Sequence, residues 1–259
     1  MLYTKTSPNI SNKNKKEEKE RKINMGIMKY CTEITLYNSY FDINERLTAK
    51  SILSIFQDVA SIHAEQIGVG YESMVKNNLY WVLSRVKFDI LKMPNINQTV
   101  IIETWPHVKG RIDFDRDIRI LSENGEVLII GTSKWCVIDS VNRTLQRTES
   151  VNYIGEYCDD VNYEGRFNKI IVPSEESKEI FTHTVMFSDL DHNKHMNNTN
   201  YATITINGID NKLFTHFEIN FINECNVGDT ISVNLVKNEE GEFVIGTKDE
   251  KIIFVSNVK

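Results

Sequence analysis

Asp191-His192-Asn193-Lys194-His195-Met196-Asn197-Asn198 places an acid, a primary amide and an imidazole at alternate positions and closes on two asparagines. If this backbone is extended, the two-residue period of a strand throws Asp191, Asn193 and His195 to one side. The asparagines then cap a helix entering near Thr199, because an Asn side chain accepts from the free amides of a first helical turn. Far upstream, Asp42-Ile43-Asn44-Glu45-Arg46-Leu47 falls residue for residue on Asp191-His192-Asn193-Lys194-His195-Met196. Each stretch follows a strand pattern and precedes a helical one, so the chain reads as two copies of one unit.

Outward from the first copy, Tyr30 to Tyr40 alternates as a strand. Leu47, Ile52, Ile55, Phe56, Val59 and Ile62 then recur at helical spacing, with Gly68 as the stop. Strand patterns follow at Tyr80 to Ile90, Thr99 to His107, Arg111 to Leu121 and Val127 to Asp139. Met93-Pro94-Asn95, Lys109-Gly110 and Glu123-Asn124-Gly125 separate them, and strands joined by short turns pair antiparallel. One long helix wrapped by an antiparallel meander is the hotdog layout. The second copy has a strand at Thr182 to Phe187, a short helix from Thr199 to Asp210, and strands at Phe214 to Ile222, Thr230 to Val236, Glu242 to Thr247 and Lys251 to Val255. Met93-Pro94-Asn95-Ile96-Asn97-Gln98-Thr99 falls on Glu224-Cys225-Asn226-Val227-Gly228-Asp229-Thr230. The fold class is therefore α+β, a tandem (double) hotdog. Residues 26–150 form the first domain, 151–178 a linker and 179–259 the second domain. Residues 1–25 are too polar to offset the entropy of ordering and read as a disordered tail whose lysines, diluted by Glu17, Glu18 and Glu20, are solvated.

A chain of 259 residues with 41% hydrophobic side chains can bury a substantial core. A net charge of -6 argues against a nucleic-acid partner, which needs a concentrated positive face. No stretch is long and apolar enough to span a bilayer. Cys31, Cys136, Cys158 and Cys225 stand singly, as reduced thiols of a cytoplasmic protein do, and neither they nor the histidines show metal-ligand spacing. Neither a metal nor a cofactor is expected.

The Asp191 to Asn198 stretch resembles the signature of the acyl-[acyl-carrier-protein] thioesterases, which end fatty acid synthesis by hydrolysing the acyl thioester. A second signature of that family is similar to Asn223-Glu224-Cys225-Asn226-Val227-Gly228-Asp229, with Asn223 standing in place of an arginine. The runs Asn78 to Arg85 and Ile102 to Pro106 resemble the family's first domain. The resemblance covers the chain from Tyr30 onward and implies a catalytic set of Asp191, Asn193, His195 and Glu224. In it Glu224 is a base or holds a water, Asn193 donates its amide to the oxyanion, and His195 donates or shuttles a proton. Asp191 would orient the Asn193 and His195 side chains. Which of Glu224, Asp191 and His195 takes the proton from water stays open, as does acyl chain length. The implied partner is acyl-[acyl-carrier-protein], an acidic protein with a phosphopantetheine thioester, and a homodimer is compatible with the reading. An acyl-coenzyme A thioesterase and a non-catalytic acyl-binding protein are the competing readings.

The copies differ where chemistry is at stake. Arg46 occupies the place of His195 and Met93 that of Glu224, and neither can exchange a proton near neutral pH. The first copy, with its longer helix, suits an acyl pocket. Cys225 invites a papain-like reading, but neighbours on a strand point to opposite faces, and an anionic neighbour suppresses a thiolate. His63 aligns with a histidine common in the family's first helix and reads as structural, while His192 alternates towards solvent.

Overall fold

The computed structural model describes residues 28–153 and 155–259; the expected disordered tail, 1–25, lies outside the described residues. Strand β1 (Tyr30–Thr35) leads through a short turn to helix α1 (Ala49–Gln66) and a one-turn-and-a-half helix α2 (Tyr71–Lys76). Four strands follow: β2 (Leu79–Ile90), β3 (Thr99–Pro106), β4 (Phe114–Ser122) and β5 (Val127–Asp139). The second copy contains β6 (Lys178–Thr184), helix α3 (Asn198–Gly208), β7 (His216–Phe221), β8 (Thr230–Asn238), β9 (Gly241–Lys248) and β10 (Lys251–Val258).

Among the described residues these strands make one antiparallel sheet in the order β1-β3-β4-β5-β2-β7-β10-β9-β8-β6. Outward from the central β2·β7 pair, each half runs through equivalent strands, so the duplication seen in the sequence is a two-fold repetition of topology. Phe88 lies opposite Phe217 across that seam, their rings stacked with centroids 5.2 Å apart.

Helix α1 starts where Thr48 accepts a hydrogen bond from the Ser51 amide, and it ends at Gly68, whose φ of 79° suits a glycine. Its buried stripe of Ile52, Leu53, Ile55, Phe56 and Val59 faces the sheet, each side chain contributing about 1.5–3 kcal/mol on full burial. Gly131 on β5 is required beneath it, since a Cβ there would stand 2.3 Å from the Phe56 ring. Helix α3 is shorter and begins at Asn197, whose Oδ1 accepts from the Thr199 amide at 2.9 Å. Both helices share one apolar core, in which Leu53, Phe56 and Phe88 are continuous with Met196, Tyr201, Phe217 and Phe254.

The connection between β5 and β6 first packs Val151, Tyr153 and Tyr157 beside Ile67 and Met74 at the helix ends, and then binds along the sheet from Asn162 to Ile170. Asn162 donates to the carbonyls of Ile118 and Gly131, Tyr163 donates to Asp89 at 2.6 Å, and Asn220 accepts from the Ile170 amide at 2.6 Å. These bonds hold the connection to both halves.

Inside the first half, Arg116 donates to Nδ1 of His63 at 2.9 Å and to Thr104 at 3.1 Å. Burial and the neighbouring guanidinium push the His63 pKa down to about 3, and burial lowers that of Arg116 to about 10. His63 is thus a neutral acceptor packed against Tyr30.

Candidate active site

The stretch from Asp191 to His195 is a turn, and the extended reading is overturned. The Asp191 amide donates to the His195 carbonyl at 2.8 Å and the Lys194 amide to the Asp191 carbonyl at 3.0 Å. Lys194 reverses the chain with φ 67°. A single bridge, Leu190 to Met196, closes the loop. In a turn the two-residue alternation no longer applies. The Asp191 carboxylate points back into its own loop, where Oδ1 accepts from the amides of Asn193 (2.8 Å) and His195 (3.4 Å). Asp191 therefore orients the motif through its main chain, and its carboxylate bonds neither the imidazole nor the Asn193 amide group. The Asn193 side chain is exposed and makes no hydrogen bond among the described residues.

A second loop completes the arrangement. The Met196 amide donates to the Cys225 carbonyl at 2.9 Å, which clamps the turn against the loop between β7 and β8. Glu224 then lies with Oε2 3.4 Å from Nε2 of His195. The second loop is itself fixed by Asp229, which accepts from the Asn226 amide at 2.8 Å, and by Gly228 at φ 86°. Asn223 turns away and donates to the Ile252 carbonyl at 2.7 Å.

Cys225 is fully buried. Burial raises its pKa, and the Asp229 charge adds to this, so the thiolate is disfavoured and the nucleophile reading finds no support in the geometry. His192 is exposed, its ring edge-on to Tyr71 of α2 with centroids 5.6 Å apart.

Among the described residues, Arg143 and Tyr80 of the first half come close to Glu224. Arg143, from the turn after β5, donates to Oε2 of Glu224 at 2.9 Å. Tyr80, at the start of β2, lies within the field of both charges, and burial raises the pKa of its hydroxyl. Nothing in the local sequence points to them: Arg143 reads there as a solvated cation or a carrier-protein contact, and Tyr80 as one strand residue among many. Among the described residues no cluster of His, Cys, Asp and Glu has metal-binding geometry.

Comparison with known proteins gives this geometry a context. Residues 28–154 match the acyl-ACP thioesterase N-terminal domain, and residues 173–252 match the acyl-ACP thioesterase C-terminal domain. The chain belongs to the acyl-ACP thioesterase family. Within it, the chain is 29% identical over 236 residues to oleoyl-acyl carrier protein thioesterase 2, chloroplastic, of Arabidopsis thaliana, covering 79% of this chain and 63% of that protein. With the chloroplastic oleoyl-acyl carrier protein thioesterase of Coriandrum sativum it shares 28% identity over 80% of this chain and 62% of that one. The chain thus spans a little under two thirds of the length of these curated relatives. The crystal structure of an acyl-ACP thioesterase from Bacteroides thetaiotaomicron superposes with a TM-score of 0.80 at 24% identity, covering 89% of this chain and 97% of that one. The 12:0-ACP thioesterase of Umbellularia californica gives 0.77 at 17% identity, over 92% and 98%. These structural likenesses show the fold, the double hotdog of the family.

Proposed function

We propose that the chain hydrolyses the thioester of fatty acyl-[acyl-carrier-protein], releasing a free fatty acid and the carrier protein thiol. The observation that carries the reading is the approach of His195 to Glu224, 3.4 Å apart on two loops clamped together, in a chain of this family. Water held by Glu224 or His195 attacks the thioester carbonyl and yields its proton to that pair, which returns a proton to the departing sulfur. Asn193, exposed and free to donate, stabilises the tetrahedral oxyanion. Asp191 holds the amides of Asn193 and His195 so that both side chains project from one rigid turn. Direct attack by water needs no covalent enzyme intermediate, in keeping with the buried, protonated thiol of Cys225.

In this reading residues 26–150 supply the acyl pocket, 151–178 the connection and 179–259 the polar residues. The substrate is carried by an acidic carrier protein on a phosphopantetheine arm, and no cofactor takes part. No described helix is long and apolar enough to cross a membrane. The four unpaired cysteines suit a reducing compartment, so we place the protein in the cytoplasm.

The test is the initial rate on one acyl chain presented as carrier-protein thioester and as coenzyme A thioester. Faster hydrolysis of the carrier-protein thioester is expected. A strong coenzyme A preference overturns the substrate, and acyl binding without turnover on either overturns hydrolysis in favour of an acyl-binding protein.

A further inference from the structure

The candidate site contains one cation that belongs to the other half of the molecule. Arg143 sits at the end of a tight turn between β5 and the connection. There Asp139 accepts from the amides of Val141 and Asn142, both at 2.8 Å, and the Arg143 amide returns to the Asp139 carbonyl at 2.9 Å. The turn is tied to the start of β2 by the Ser140 amide, which donates to the Asn78 carbonyl at 2.8 Å. Arg143 itself takes φ 51°, and its guanidinium reaches Glu224 of the second half. Its backbone is therefore fixed without help from the guanidinium, which is left to serve Glu224.

The guanidinium and the imidazole meet the same carboxylate oxygen. Oε2 of Glu224 lies 2.9 Å from Arg143 and 3.4 Å from Nε2 of His195, while Oε1 has no partner among the described residues. Glu224 has three rotatable bonds and a side chain 41% exposed, so it has little packing to hold it in one rotamer. A charge-assisted bond from a rigid turn supplies that constraint.

We propose that Arg143 is a positioning residue for hydrolysis. It grips Oε2 so that the carboxylate stays beside His195 and leaves Oε1 turned out to hold the attacking water. The site is then assembled by both halves: a first-half turn fixes the second-half carboxylate. This inference rests on the hydrolase reading above. It predicts an effect on turnover rather than on binding or folding, because an ion pair this exposed adds little to stability.

The test compares Arg143→Gln and Arg143→Lys with the wild-type chain. For Arg143→Gln we expect kcat on acyl-[acyl-carrier-protein] to fall about tenfold, with KM within about twofold and the thermal midpoint unchanged. Arg143→Lys, which keeps the charge but not the fork, should recover to within about threefold of wild type. Raising salt should lower wild-type kcat towards that of Arg143→Gln, since screening weakens exposed pairs. An unchanged kcat, or a rise in KM alone, overturns the proposal and makes Arg143 a carrier contact or a bystander. A crystal structure of Arg143→Gln judges it whatever the activity: Glu224 should leave His195 and occupy other rotamers, and a carboxylate still in its wild-type place overturns the proposal. A wild-type chain inactive on every acyl thioester would fail the hydrolase reading instead, with the crystallographic result still standing for or against Arg143.

Discussion

The loops Phe41 to Leu47 and Leu190 to Met196 have the same backbone and opposite uses. In each, the leading aspartate accepts from two amides: Asp42 from Asn44 (2.8 Å) and Arg46 (3.0 Å), Asp191 from Asn193 (2.8 Å) and His195 (3.4 Å). Glu45 and Lys194 both take positive φ, 56° and 67°, and a single bridge closes each loop ahead of a capped helix. The difference lies in what the fifth residue carries. Arg46 donates to the Phe214 carbonyl at 2.7 Å and so joins the first loop to the second half. Its sister His195 faces Glu224, while Met93, the sister of Glu224, offers only its sulfur to the Leu47 amide at 3.3 Å. The turn is therefore a scaffold that folds with or without an ionisable pair beside it. Asp191 belongs to that scaffold, and two substitutions separate a structural joint from a loop that sets an ionisable pair face to face.

The contrast breaks first at the reactive pair. Glu224→Ala and His195→Ala should each lower kcat by about 10² or more with the thermal midpoint kept, and near-normal turnover in both would mean the two loops do not differ in function.

A second difference lies in the helices that follow. His63 of α1 is neutral with a pKa near 3, and α3 is too short to have a counterpart. Between about pH 6.5 and 3 the unfolded chain binds the proton that folded His63 refuses. Its contribution is thus intact above pH 6.5 and lost as pH falls, by about 1.4 kcal/mol per unit. His107 has the opposite sign: burial works against its charge, but Asp117 and Asp115 outweigh this and raise its pKa, so its stabilisation is present at low pH and lost as pH rises. Subtracting the denaturant-derived stability of His63→Gln from that of wild type at pH 7, 6 and 5 cancels His107 and should leave the His63 slope. Parallel curves would refute it.

The aspartates sharpen the comparison on a smaller scale. Asp42→Ala and Asp191→Ala should each cost about 1 kcal/mol through two lost acceptor contacts. Only Asp191→Ala should also lower kcat, by about tenfold, and equal kinetics in the two variants would separate the turn from the chemistry. The smallest effect is expected for Arg46→Ala, about 1 kcal/mol or less in stability with kcat within about twofold of wild type. A larger loss of turnover would make the first loop part of the site.

Strong periodicity was readable residue by residue. Val127–Asp139 is a strand with the limits its pattern predicts, and α1 stops at the glycine that its spacing marks. Tyr71–Lys76 was missed because six residues carry too little of a helical period, and the strand expected from Tyr30 to Tyr40 ends at Thr35, ahead of a short 3-10 turn, Asn38–Tyr40. At the candidate site, His195 and Glu224 were named from the sequence and stand together. Alternation misled at Asp191, because an Asp two residues ahead of a free amide can capture it and fold the chain into a turn. The contact of Arg143 with Glu224 was hidden by their 81-residue separation, since a bond between exposed side chains on different halves leaves no periodic trace.

By itself the sequence determined the unit, its duplication, and which copy retains ionisable groups, because side-chain period and residue chemistry are local properties. Only the tertiary structure decided that both copies share one core and one sheet through β2 and β7, that the Asp191 carboxylate faces its own backbone, and that a first-half guanidinium holds the second-half glutamate. Those outcomes depend on which surfaces meet when the halves pair, and that is set by packing across the whole chain.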